Sequence, residues 1–302
     1  MLASTVLAVS SAACSDSLVA PDAATASPPT TLEEIEIPTG ALVAVPQQNR
    51  EDPAKGQFQV QVVNGTRERF DVTSVQFVWA GFTTAVSPRD STVVGGQVID
   101  FPVPFPGADC AGDGTAATMP SLADALVLLG APDGTVREVP VVDKWHLARA
   151  LYLDDCLRQR IAAAVDLAWV GLHESTFEGR PVTEGALRVV RRGASGEVRI
   201  ESVSGTIPYR VDAVDAEVDE TVAVLAADDD EVEVPIRFLE ARCDPHALAE
   251  TKQPHHFVAQ VDLGDGVLVP YVVMPDEADR APMRRTADAA CVATGQVVFV
   301  GD

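Results

Sequence analysis

The chain has 302 residues, 47% of them hydrophobic, and a formal net charge of −23 from 45 acidic and 22 basic side chains. That length suits two domains at roughly 100–200 residues each, and the apolar content is too high for a chain disordered throughout. The acidic field repels phosphate backbones and no basic stripe with interleaved aromatics is present, so nucleic acid is excluded as a partner. No run of about 18 apolar residues reads as a membrane-crossing helix.

Met1 to Ala13 carries no charge, and its apolar stretch Leu2 to Val9 ends in Ser11-Ala12-Ala13 before Cys14. A short apolar run closing on small residues is a signal-peptide pattern. Small residues directly before a Cys resemble the lipobox of bacterial lipoproteins. The resemblance implies that Cys14 is lipidated, becomes the mature N-terminus and ties the chain to a membrane. The segment departs from that pattern in having Ser11 where an aliphatic is usual and no basic residue ahead of the apolar run. Residues 1–14 are therefore read as a signal peptide with a lipobox-like Cys. Residues 15–36, rich in Ser, Ala, Pro and Thr, cannot bury enough surface to order themselves and read as a flexible tether.

Beyond the tether the chain repeats itself. Phe70 to Val75 matches Val198 to Val203, both alternating apolar and polar residues as a half-buried strand does. The run Phe101 to Cys110 aligns with Val234 to Cys243, with Pro, Phe, Ala and Cys at the same offsets. Val139-Pro140 and Val269-Pro270 each follow an Asp-Gly turn, Asp133-Gly134 and Asp265-Gly266. The runs Leu167 to Gly171 and Val297 to Gly301 look alike and read as closing strands. The copies are thus expected over 37–171 and 183–302, with 172–182 as a linker.

Within copy one, Phe58 to Val62 alternates into an Asn64-Gly65 turn, read as a hairpin. Pro102 and Pro104 place the strand that carries them at a sheet edge. A helix is expected from Asp143 to about Cys156, with Trp145, Ala148, Leu151 and Tyr152 on one face. Its counterpart spans Asp276 to Cys291, with Pro282 forcing a late start or a kink. Short strands at this spacing predict a mainly β chain: two tandem immunoglobulin-like β-sandwich domains, each with one short helix and one disulfide.

Five Cys are present. If Cys14 is lipidated, four remain, and the repeat assigns two to each copy. The economical pairing is Cys110–Cys156 and Cys243–Cys291, as an oxidising compartment would allow. Metal ligation by reduced thiols lacks CxxC spacing.

Around Arg242-Cys243-Asp244-Pro245-His246-Ala247 the second copy resembles a group of uncharacterised actinobacterial secreted proteins and lipoproteins bearing that motif. The resemblance implies export and assigns no activity, cofactor or partner.

Candidate chemistry is sparse. His246, His255 and His256 lie near Asp244 and Glu250, a set that could bind Zn²⁺ but has no HxxxH spacing. Gly193-Ala194-Ser195-Gly196 sits between strands and reads as a hairpin loop rather than a nucleophile elbow. Asp228-Asp229-Asp230-Glu231 lacks the spacing of a Ca²⁺ loop and reads as a solvated turn. No catalytic residue and no cofactor is assigned. The reading is a non-enzymatic envelope protein on the outer face of the cytoplasmic membrane, or secreted, binding an envelope protein or polymer. The alternative is a metal-binding protein or metal-dependent hydrolase built on His246, His255 and His256.

Overall fold

The computed structural model describes residues 39–112, 115–214 and 221–295. The leader, Cys14, the tether and the run Val297 to Gly301 lie outside those residues.

Two antiparallel sheets face each other in the first repeat. One has the order β1-β2-β6, from Leu42–Gln47 (β1), Gln57–Asn64 (β2) and Val98–Pro104 (β6). The other contains Phe70–Trp79 (β3), Phe82–Thr83 (β4), Ser87–Val93 (β5), Leu126–Gly130 (β7) and Val136–Pro140 (β8), in the order β4-β3-β7-β8 with β5 also on β3. Alternation aims Phe58, Val60 and Val62 inward against Val75, Phe77 and Trp79. β6 is an edge strand, as its prolines require. The Asp133-Gly134 turn closes the β7–β8 hairpin.

The second repeat reproduces this plan. Val165–Phe177 (β9), Arg180–Arg191 (β10) and Glu231–Glu240 (β14) pair as β1, β2 and β6 do. Val198–Ser204 (β11), Ala223–Leu225 (β13), Phe257–Asp262 (β15) and Val269–Val273 (β16) match β3, β5, β7 and β8. The register of β3 slips between Val72 and Ser74, and that of β11 between Ile200 and Ser202. The two slips fall at equivalent residues but face different neighbours, β5 for β3 and β15, the counterpart of β7, for β11. The repeats differ at one strand. β4 stays on β3, whereas Tyr209–Ala213 (β12) crosses to pair with β14 in the other sheet.

The structure shifts the frame of the repeat. The run Leu167 to Gly171 opens the second copy instead of closing the first, because Val165–Phe177 pairs along its length with β10. Residues 172–182 are not a linker. They form the tip of the β9–β10 hairpin, turned by Glu178 and Gly179 at φ 51° and 78°. A two-residue turn with both φ positive matches strand twist, and Glu in place of Asn disguised it. Asn64-Gly65 is likewise no hairpin, since β2 and β3 belong to different sheets. Asn64 is fully buried and its amide donates to the Glu68 carbonyl at 2.8 Å, so its side chain is committed to the turn between the sheets.

Each repeat ends in a helix that returns its second Cys to the end of its edge strand. Leu147–Ala164 (α1) carries Cys156 to Cys110, and Glu277–Ala293 (α3) carries Cys291 to Cys243, at Cα separations of 5.6 and 5.5 Å. On the chain-entropy model, closing loops of this length stabilises each repeat by roughly 4 kcal/mol. Helix α1 starts later and runs further than its apolar spacing suggests. Asp143 accepts from the amides of Ala148 and Arg149, both at 3.1 Å, and so caps the helix from outside it. Trp145 precedes the helix and is 57% exposed, against its expected place on the buried face. Helix α3 continues through Pro282 at the cost of one backbone hydrogen bond.

The two hydrophobic cores meet on α1. Ala148, Tyr152 and Cys156 belong to the first core, and Ile161 belongs to the second. The helix then runs without a break into β9. Arg50–Glu250 at 3.2 Å, Lys252–Glu51 at 3.8 Å and an Arg160–Asp265 pair also cross between the repeats. Ile161→Ala removes a fully buried side chain and should cost about 2–4 kcal/mol. Because the helix is shared, calorimetry should show one cooperative transition moved to lower temperature. Two separated transitions would show that the cores unfold independently.

Candidate functional site

The Arg-Cys-Asp-Pro-His-Ala run is the start of a short helix, Pro245–Glu250 (α2). Asp244 is its N-cap, accepting from the Ala247 amide at 2.8 Å, and Pro245 stands in the first turn, where a missing N–H costs nothing. That backbone bond, helped by the Arg242 guanidinium at 2.9 Å, holds the Asp244 carboxyl below its usual range. Asp244 is thus committed to the helix. His246 is exposed, and Glu250 faces Arg50. Among the described residues no group of three His, Cys, Asp or Glu side chains could hold a metal ion. The structure does not bring His246, His255, His256 and Asp244 together as a ligand set.

What the fold does build here is a cavity of about 440 Å³. Its walls come from the start of β12, from α2 and the chain after it, and from α3 beside the Cys243–Cys291 disulfide. Thr206 closes the wall near β12, its hydroxyl donating to the Pro254 carbonyl at 2.8 Å. Gly205 is required in that turn, because a Cβ there would lie 2.2 Å from the Tyr209 carbonyl oxygen.

The repeats explain why the space exists. Tyr152 and Ala287 each stand four residues before the second Cys of their repeat. In the first repeat the Tyr152 ring is fully buried, packs 5.5 Å from Trp79, and its hydroxyl accepts from the Ala111 amide at 2.9 Å. In the second repeat Ala287 leaves that volume unfilled and lines the cavity. One helical turn earlier the sizes reverse, with Ala148 against Met283, both fully buried. The deeper core is therefore filled in both repeats, and only the space beneath the disulfide differs.

His255 lines the cavity and stacks on Tyr209 with ring centroids 5.6 Å apart and planes 28° apart. Burial, with the nearby Arg280, His256 and Arg284, pushes its pKa down to about 4, so the ring is neutral at pH 7. Its Nδ1 is buried without a hydrogen-bond partner. Burial also lowers the pKa of His256 and raises that of the Tyr209 hydroxyl. Arg242 and Arg284 stand at the cavity wall with side chains 62% and 71% exposed. Asp288 opposes them there, 3.8 Å from Arg284.

Other candidates are spent on structure. Arg191 threads the Gly193 to Gly196 loop, donating to the carbonyls of Ala194 and Gly196 at 2.9 and 2.8 Å. That loop joins strands of different sheets and presents no nucleophile elbow. Asp228 to Asp230 form an exposed turn, bonded by Arg191 through the Asp229 and Ala226 carbonyls. A larger groove of about 560 Å³ runs beside α1, where two lining carboxylates, Asp154 and Asp155, both face the one guanidinium of Arg158.

No family model matches the chain, and no curated protein matches it. Among solved structures, it superposes on a chain described as "Biofilm associated protein - BSP domain" at 9% identity, covering 78% of this chain and 58% of that one, with a TM-score of 0.20. A superposition that loose bears on neither fold nor function.

The neutral state of His255 has a pH signature. Above about pH 6.5 folded and unfolded chains both hold it uncharged. Between that value and about pH 4 the unfolded chain binds a proton that the folded chain refuses, so stability falls as the pH falls. His255→Phe should reduce the loss of unfolding free energy between pH 7 and 4 by about 1–2 kcal/mol, a figure discounted for the partial exposure of the ring. Urea unfolding at both pH values measures it. Equal losses in the two proteins would show that the ring is not held neutral.

Proposed function

We propose that this chain is an exported, non-enzymatic binding protein of the cell envelope, anchored through a lipid on Cys14, whose second repeat carries the ligand site. The observation behind the binding reading is the cavity under the Cys243–Cys291 disulfide, open where the first repeat is plugged by Tyr152. A volume of about 440 Å³ falls within the range of small-molecule sites, and an apolar wall with a few convergent polar groups is their usual character. Two disulfides accord with an oxidising compartment, and no described helix is long and apolar enough to cross a membrane. The lipobox-like run before Cys14 and the resemblance to secreted actinobacterial proteins support the same compartment. The first repeat, with its plugged core, then acts as a spacer and as the platform on which α1 seats the second.

Metabolic labelling with palmitate tests the anchor. The expected result is label that disappears in Cys14→Ala, together with release of the protein from the membrane fraction. A mature N-terminus elsewhere would end the anchor reading. A thermal-shift panel of small molecules tests the binding reading. Stabilising compounds should lose their effect in Ala287→Tyr, which restores the plug of the first repeat, and compounds that stabilise both proteins alike would place the ligand elsewhere.

A further inference from the structure

We infer that the cavity of the second repeat takes a small organic anion with a planar apolar body, an aryl or arylalkyl carboxylate. The inference rests on the binding reading above and adds to it the chemistry of the occupant.

The wall sets the body. The Tyr209–His255 stack, Leu248, Pro245 and Ala287 offer apolar and aromatic surface to a flat group. The neutral imidazole keeps this wall uncharged. Its Nδ1, buried and unpartnered, is one polar group there with an unused bond to offer, and turning the ring would present it to an occupant.

The charge sets the head group. The chain as a whole carries −23, yet the cavity wall holds Arg242 and Arg284, faced by the carboxylates of Asp244, beside Arg242, and Asp288. Arg280 adds a third positive charge close enough to act on His255. The cavity rim is thus richer in guanidinium groups than a chain of this net charge would lead one to expect. Neither wall arginine is locked. Arg242 pairs with Asp244 at 2.9 Å and Arg284 with Asp288 at 3.8 Å, both on exposed side chains where such pairs are weak. A ligand carboxylate can replace either partner, and a guanidinium can meet it with two parallel hydrogen bonds.

Four probes separate body from charge: phenylacetate, phenylacetamide, phenethylamine and acetate, titrated into the ¹⁵N-labelled full chain and followed by amide shifts near His255 and Ala287. Phenylacetate should bind about fivefold or more tightly than phenylacetamide, the advantage expected of one screened ion pair. Phenethylamine and acetate should bind more weakly still. Arg284→Gln should narrow the gap between acid and amide, and Ala287→Tyr should abolish the shifts. Leu248→Trp fills the same space from α2 and serves if the tyrosine variant does not fold. Amide or amine binding as tightly as the acid would overturn the anion inference and leave the pocket reading standing. Absence of any shift near the cavity with all three aryl probes would overturn both.

Discussion

Helix α1 is fixed at one end by the Cys110–Cys156 disulfide and at the other by Ile161, which lies in the core of the following repeat. The rest of the molecule depends on that double attachment. A β-sandwich whose last element is buried partly in its neighbour cannot be rearranged without disturbing the neighbour. The strand leaving α1, β9, begins the second sandwich with no intervening loop, so the sheets of the second repeat inherit their starting direction from the helix. The ion pairs across the junction are exposed and add little, whereas the buried side chains on α1 carry the coupling.

Duplication gives this molecule an internal control. Both repeats share a strand plan, an Asp-Gly hairpin and a disulfide staple, so a difference between them has a local cause. That difference is concentrated beneath the second disulfide. The exchange of Tyr152 for Ala287 removes a ring, β12 leaves one sheet for the other, and a capped helix replaces the segment that packs on Tyr152 through Ala111. Together these changes convert a filled corner of the core into a cavity edged by arginines. In a protein of net charge −23, the two arginines at this concave site are the feature on which the proposed preference for an anion rests.

Much of the frame was legible in the chain. Alternation marked the strands, the Asp-Gly turns marked the matching hairpins, and the ordered repeat assigned the cysteines to partners that the structure joins. The phase of the repeat was not legible. A strand such as Val165–Phe177 is equally apolar whether it ends one unit or begins the next, and only hydrogen bonding decides. Glu178-Gly179 hid a tight turn because Glu at positive φ is uncommon. The site was half visible. His255 stood out as a histidine, but its role as a neutral stacked wall depends on Tyr209, distant in sequence and brought near by the path of β12. Aligning the helices on their cysteines would have set Tyr152 against Ala287, a signal that was present and needed the second Cys of each repeat as its anchor.

The account stands on two units of one plan, each closed by its own staple. Peptide mapping of the unreduced protein tests this most directly. It should yield the Cys110–Cys156 and Cys243–Cys291 peptides in full yield, and a Cys110–Cys243 crosslink would contradict the arrangement of strands and helices from which everything else follows.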